Sequence, residues 1–201
     1  MATLPQPSQP SEEHNALPRD LVARCNLGDV TPQTIAFIDT GLSNYWQLSD
    51  SLLPTTETVI LHAHQDGVEQ ITALLMPNAY IDSVHLFAPG APGGLKLGNT
   101  FLSVKTLERY REDLESWFAL TQLCDRAASL AIYGCDVAAG EVGNSFIQKL
   151  HKLTGASIAA SFSPVGHPAL GANWNLERQM GQERPPWVLD RQRLAYYHAT
   201  L

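Results

Sequence analysis

The sequence predicts an α/β fold built on a mostly parallel sheet. Three observations carry that reading. Short apolar runs recur along the chain, segments with apolar residues three and four apart separate them, and Gly, Asp and Asn stand at the junctions. Strands alternating with helices close as crossover units, with helices packed on the sheet faces.

In chain order, Ile35 to Ile38 is an apolar run that ends at Asp39-Thr40-Gly41, a strand leading into a turn. Thr58 to Leu61 reads as a second buried strand. Asp66 is the N-cap of an amphipathic helix running to Leu75. Ser83 to Ala88 is a third strand, and it enters the breaker-rich loop Pro89-Gly90-Ala91-Pro92-Gly93-Gly94. Leu95 to Leu102 reads as a small hairpin turned at Gly98-Asn99. Leu107 to Leu123 is helical, with Leu107, Tyr110, Leu114, Trp117 and Phe118 on one side. Leu130 to Tyr133 is a fourth strand, followed at once by Gly134-Cys135. Gly143 to Leu153 is helical, Ser157 to Ala160 is a fifth strand, and Trp174 to Leu176 an edge strand.

With 201 residues, 44% hydrophobic and 16% charged, the chain can bury one domain-sized core. The expected division is an extended N-terminal arm over residues 1–20 and a single α/β domain over residues 21–201. Thirteen Lys and Arg against twenty Asp and Glu leave a net charge of −7. An acidic chain without a basic stripe lacks the electrostatic footprint for nucleic acid or an anionic membrane. No apolar run approaches the ~20 residues of a bilayer span, so membrane insertion is not expected. Met1 to Pro18 has neither a basic start nor an apolar stretch of the secretory kind, which points to the cytoplasm. Cys25, Cys124 and Cys135 form no CxxC pair and are expected as free thiols in a reducing compartment.

In open α/β sheets ligands bind outside the carboxyl ends of the strands. Ala88-Pro89-Gly90 and Tyr133-Gly134-Cys135 are therefore the turns to watch. Cys135 has a flanking glycine and a helix start beyond it, the setting of a nucleophilic thiol. It is equally the setting of a small buried thiol in a tight turn.

The segments IAFIDTGLSNYWQL (35–48), DGVEQI (66–71), GAPGGLKLGNT (90–100), IYGCDVAAGEVG (132–143), LTGASIAAS (153–161), ALGANWNLE (169–177) and LAYYHATL (194–201) carry a resemblance. Together they resemble a bacterial domain of unknown function, common in cyanobacteria and usually found near the start of large adhesin-like proteins. That family is in turn similar to the caspase–gingipain clan of cysteine peptidases. The resemblance implies a caspase-like three-layer sandwich, a mostly parallel central sheet flanked by helices, with strand order 2-1-3-4-5. It places a catalytic His-Gly pair after the third strand and a Cys after the fourth. The family pattern H-I-V-S-H-G-S-P-G-A-L-Q-L-G aligns without a gap on H-L-F-A-P-G-A-P-G-G-L-K-L-G, residues 85–98. Cys135 then takes the nucleophile's place and Gly90 the oxyanion side, while Pro89 stands where the histidine belongs. Proline has no ring nitrogen that could move a proton to or from a thiol or a leaving amine. Phe162, Ser163 and Asn173 also stand where the family carries acidic residues, in a segment that shapes the clan's specificity pocket.

No other histidine replaces the missing one in an obvious way. His85 lies four residues back on the third strand, about 13 Å at ~3.3 Å per residue, and reads as a core histidine. His62 and His64 follow a strand about 14 Å from the fourth in the implied order, with no third ligand for a metal nearby in sequence. His167, in the loop after the fifth strand, is the best-placed substitute base, against the alternative of a solvated loop histidine. Ser161 and Ser163 lack an accompanying Asp and His, so serine hydrolysis is weaker still.

The leading expectation is a non-catalytic relative of a cysteine peptidase, serving as a protein-binding or scaffold subunit of a larger intracellular assembly. The alternative is an active peptidase using Cys135 and a relocated His167, and a third reading is small-molecule binding in the relic cleft. No metal or cofactor is implied. The arm carries Pro5, Pro7, Pro10 and Pro18, which suit an extended segment laid along a partner, with Leu4 and Leu17 as its apolar anchors.

Overall fold

The computed structural model describes residues 33–76 and 81–201. The arm, with Leu4 and Leu17, lies outside the described residues. Among the described residues, nine strands form two sheets. The main sheet contains β1 (Gln33–Asp39), β2 (Glu57–Leu61), β3 (Ile81–Phe87), β7 (Ser129–Tyr133), β8 (Ser157–Ala160) and β9 (Arg178–Met180), in the order β2-β1-β3-β7-β8-β9. All its pairs are parallel except β8 with β9. A small antiparallel sheet joins β4 (Gly90–Ala91), β5 (Gly94–Leu97) and β6 (Thr100–Ser103), and includes the hairpin expected at Gly98-Asn99.

The alternation of apolar side chains along each strand supplies two cores, as a sheet covered on both faces requires. Ile35, Phe37, Val84, Leu86, Leu130, Ile132 and Ile158 face one layer of helices. That layer holds α2 (Gly67–Leu75), α3 (Arg111–Ser116), α4 (Ala119–Leu123) and α5 (Gly140–Thr154). Ala36, Ile38, Phe87, Ala131 and Tyr133 face the other side. There the cover is α1 (Tyr45–Asp50), α6 (Arg191–Leu194) and the segment that brings in Val188, Leu189, Tyr197 and Leu201. This is a three-layer sandwich with a mostly parallel centre. No helix among the described residues is long and apolar enough to cross a membrane.

Asp66 caps α2 as the sequence predicts, accepting from the Val68 and Glu69 amides at 2.9 and 3.4 Å. Its other oxygen accepts from the Thr100 and Tyr110 hydroxyls at 2.6 and 2.5 Å, which ties the cap to the hairpin. Two expectations are corrected. The single helix over Leu107 to Leu123 is a 3-10 turn at Leu107–Tyr110 followed by α3 and α4. Ser116 Oγ donates back to the Asp113 carbonyl at 2.6 Å, a bond that bends helices, and the break still leaves Trp117 and Phe118 buried. The edge strand is Arg178–Met180 rather than Trp174 to Leu176. The Asn173 side chain accepts the Asn175 amide at 2.7 Å, so that backbone is used in a local turn, and Trp174 packs into the second core.

Asp39, read from sequence only as a turn signal, is fully buried at the end of β1. Its two oxygens accept from the Gly41 amide at 2.6 Å and the Gly98 amide at 2.5 Å, pinning the hairpin turn to the main sheet. Asn at this position points an NH2 group at one of two N–H donors. Asp39→Asn is expected to cost about 2 kcal/mol or more, read as a lowered urea midpoint with unchanged slope.

Candidate functional site

The turns after β3 and β7 meet at the carboxyl end of the sheet. Gly90 abuts the Cys135 backbone so closely that a Cβ there would stand 2.6 Å from the Cys135 nitrogen and nearer still to its carbonyl oxygen. Only glycine fits such an approach. Gly134 packs in return against the Ala88 carbonyl and the Gly90 Cα. The Ala88 amide donates to the Tyr133 carbonyl at 3.1 Å, extending the β3–β7 pairing into the turn. Pro89 lies beside Gly41, and its carbonyl accepts from Lys96 N at 2.8 Å, which joins the two sheets. The structure thus sets Gly90 against the Cys135 backbone, with Pro89 directly before it in the chain and turned toward Gly41.

Cys135 is half-buried on the face that carries Tyr133 and Phe87. Its sulfur receives the Val165 amide at 3.2 Å and lies 3.6 Å from the Val165 carbonyl. The expected helix start beyond Cys135 is not adjacent. α5 begins at Gly140, after a turn in which Asp136 takes φ 60° and Ala139 donates to the Asp136 carbonyl. The donor that meets the sulfur is therefore the loop after β8, not a helix N-terminus.

That loop is held by Glu177. Its carboxylate accepts from Ser161 Oγ at 2.8 Å, Ser163 Oγ at 2.7 Å and the Phe162 amide at 3.2 Å. Burial pulls the Glu177 carboxyl up, but hydrogen bonds from Ser163, Ser161 and the backbone outweigh it and hold the group below the usual range. Asn173 Nδ2 donates to Ser163 Oγ at 3.2 Å. The same loop binds residues 199–201: Leu201 N donates to the Val165 carbonyl at 2.9 Å, and His167 N donates to the Ala199 carbonyl at 3.0 Å. Tyr197 is fully buried beneath this junction and donates to the Ser43 carbonyl at 3.1 Å. Burial and the nearby Cys135 push its phenol up to about 12. Glu177 and Tyr197 were not singled out by sequence reasoning, since their partners lie at a distance in the chain that periodicity does not report.

The histidines are placed as follows. His85 is fully buried mid-strand, its Nε2 3.0 Å from Ser83 Oγ, and burial lowers it to about 3. His62 and His64 are exposed, and no group of three or more His, Cys, Asp or Glu able to hold a metal occurs among the described residues. His167 caps the short turn Pro168–Leu170 through its Nδ1, which accepts from Ala169 N at 3.2 Å, and its ring packs on His198 at 4.5 Å. Its backbone sits two residues from Val165, but the sulfur's hydrogen bonds go to Val165 itself. Ser161 and Ser163 are both committed to Glu177. Among the cysteines, Cys135 is a free thiol, whereas Cys124 is disulfide-bonded, which corrects the expectation of free thiols throughout.

Residues 35–201 match the model of a domain of unknown function, DUF4347. The chain belongs to the DUF4347 family. No curated protein matches it. The matched stretch takes in the whole described sheet from Ile35 onward, both turns of the Gly90–Cys135 contact, and the Glu177 and Tyr197 anchors. The DUF4347 domain of this chain therefore includes every residue that shapes the surroundings of the thiol.

Proposed function

We propose that this DUF4347 domain is a non-catalytic, caspase-like module that binds protein, the peptidase chemistry of its relatives being lost at Pro89. The observation that carries the reading is the pairing at the strand ends. The residue before the glycine that abuts Cys135 is a proline, and the sulfur's hydrogen bonds go to a backbone amide and carbonyl rather than to a base. A thiol without a partner that can take and return its proton lacks both the activated nucleophile and the general acid for the leaving amine. Removing a member of such a set typically lowers turnover by orders of magnitude. The remaining architecture is well held by Asp39, Glu177 and Tyr197, and a rigid scaffold with exposed loops suits binding. A disulfide at Cys124 favours an oxidising compartment over the cytoplasm that composition suggests.

The test is cleavage of a pooled peptide library, read by mass spectrometry, for wild type, Cys135→Ala and His167→Ala. No cleavage that depends on Cys135 is expected. Products lost in both variants would replace this reading with a peptidase whose base has moved to His167. Products lost only with Cys135→Ala would equally end the non-catalytic proposal.

A further inference from the structure

The main sheet ends differently on its two sides. At one side β9 is three residues long and runs antiparallel to β8. The chain beyond it folds back: Glu183 N donates to Ser157 Oγ at 3.1 Å, and Arg184 Nε donates to Gln179 Oε1 at 2.9 Å. Short length and charged side chains are usual means by which an edge is kept from pairing with another chain. At the other side β2 reads Glu-Thr-Val-Ile-Leu and pairs with β1 over all five residues without a bulge. It contains no Lys, Pro or Gly, and its one charge, Glu57, stands at the first position. Outside the β1 pairing, one hydrogen bond reaches this strand among the described residues, from Thr40 Oγ1 to the Leu61 carbonyl at 3.1 Å. The outer row of backbone N–H and C=O groups along β2 is therefore open to another strand. The side chains are open there too. Val59 packs on the core under α2 and Ile60 on the core of the opposite face, and both are only half-buried.

A second copy of β2 fits this edge. About a twofold axis perpendicular to the sheet, two β2 strands run antiparallel and residues facing each other share one side of the sheet. An axis at Val59 pairs the whole strand: Val59 meets its own counterpart, Thr58 faces Ile60, and Glu57 faces Leu61. Each half-buried side chain thereby gains a β-branched neighbour, the kind of cross-strand pair that stabilises sheets. Charge selects the same register. Each copy carries a net charge of −7, so like charges set directly opposite would oppose association. An axis at Val59 leaves the two Glu57 carboxylates about 13 Å apart along the strands at ~3.3 Å per residue, beyond the ~8 Å screening length of physiological salt.

We propose that two copies of this domain join through β2, antiparallel about a twofold axis at Val59, so that their two main sheets run on as one. β1 and β3 separate β2 from β7, the strand that leads to Cys135. Pairing at β2 is therefore the same whether that thiol is active or silent.

The experiment follows the mass of the full chain by light scattering after size exclusion, over a concentration series. Wild type is expected to rise from 22.0 kDa toward twice that mass. Thr58→Lys puts a charge on an exposed side chain of the edge, opposite Ile60 of the other copy. It should remain monomeric at concentrations about tenfold above those that pair wild type, a loss of about 1.4 kcal/mol or more, with an unchanged circular dichroism spectrum. Val59→Cys fixes the register. Cα atoms directly opposed across antiparallel strands stand about 4.5–5.5 Å apart, within disulfide reach, so oxidation with diamide should give a covalent dimer that thiol reverses. Glu57→Cys, about 13 Å from its counterpart, should cross-link no more than wild type, whose own thiols set the background. If Val59→Cys does not fold, a mixture of Thr58→Cys with Ile60→Cys carries the register test, because these positions face each other and neither faces itself. Three results would overturn the proposal: wild type that stays monomeric throughout, a dimer indifferent to Thr58→Lys, or cross-linking at Glu57→Cys that equals that at Val59→Cys. Peptide cleavage plays no part in the readout, so the dimer and the non-catalytic reading fail independently.

Discussion

Acidification from pH 7 to pH 4 is expected to cost the fold about 3 kcal/mol through one side chain, His85. The ring sits fully buried in register with Ala36 on β1 and Ala131 on β7, stacked at 6.0 Å from Tyr133. Nε2 meets Ser83 Oγ, and Nδ1 has no partner among the described residues. Burial disfavours the imidazolium and lowers the group from 6.5 to about 3. In the unfolded chain the same ring takes up its proton near pH ~6.5. Below that pH the unfolded state binds more protons than the native one, so stability falls as pH falls, and the loss levels off near pH 3. Urea midpoints for wild type and His85→Leu at pH 7, 5.5 and 4 measure this directly. Asp66 and Glu177, whose carboxyls are held low in the native state, weaken the fold with acid in both proteins and cancel in the difference. Parallel curves for the two proteins would show that His85 gains its proton inside the fold.

Gly90→Ala is the second large effect, expected to destabilise the domain by about 3 kcal/mol. The added methyl would lie 2.6 Å from the Cys135 nitrogen and closer still to its carbonyl, and both are backbone atoms that no rotamer change can move aside. The turns after β3 and β7 must separate. That displacement should also loosen the Val165 contact and speed alkylation of the Cys135 thiol relative to wild type. Two measurements check it, a denaturant midpoint and the rate of iodoacetamide labelling at Cys135. A variant with wild-type stability and labelling would mean that the two turns do not touch as described.

Much of this architecture was legible in the residues. Four of the five parallel strands, β1, β3, β7 and β8, were marked by apolar runs because a strand buried on both faces has little room for polar side chains. The expectation that Thr58 to Leu61 is a buried strand is corrected: β2 lies at the sheet edge, where it has one neighbour only, and of its residues Leu61 alone is buried. Asp66 announced α2, because an acceptor placed before an amphipathic stretch satisfies amides that the helix leaves open. The meeting of Gly90 and Cys135 followed from the rule that strand ends gather at one edge of a parallel sheet. The last strand was misplaced by a few residues. Trp174 and Leu176 have strand-like side chains, and nothing in their spacing reports that the Asn173 side chain takes the Asn175 amide.

The sequence by itself determined the alternating class of the fold, the order of its elements, and the chemical fact that a proline, which has no side-chain base, directly precedes Gly90. Those properties are local, written in periodicity and in the identity of single residues. Tertiary structure alone decided what surrounds the thiol. Val165 stands thirty residues from Cys135, Glu177 sixteen from Ser161, and Tyr197 more than a hundred and fifty from Ser43. Such pairings arise only when the sheet brings strand ends together, because hydrogen bonds and aromatic contacts depend on separation in space and not along the chain. A cleft between Trp174 and Trp187 has the same origin. Its floor comes from β7 and β8 and its walls from segments that follow β8 and β9, so no stretch of sequence contains it.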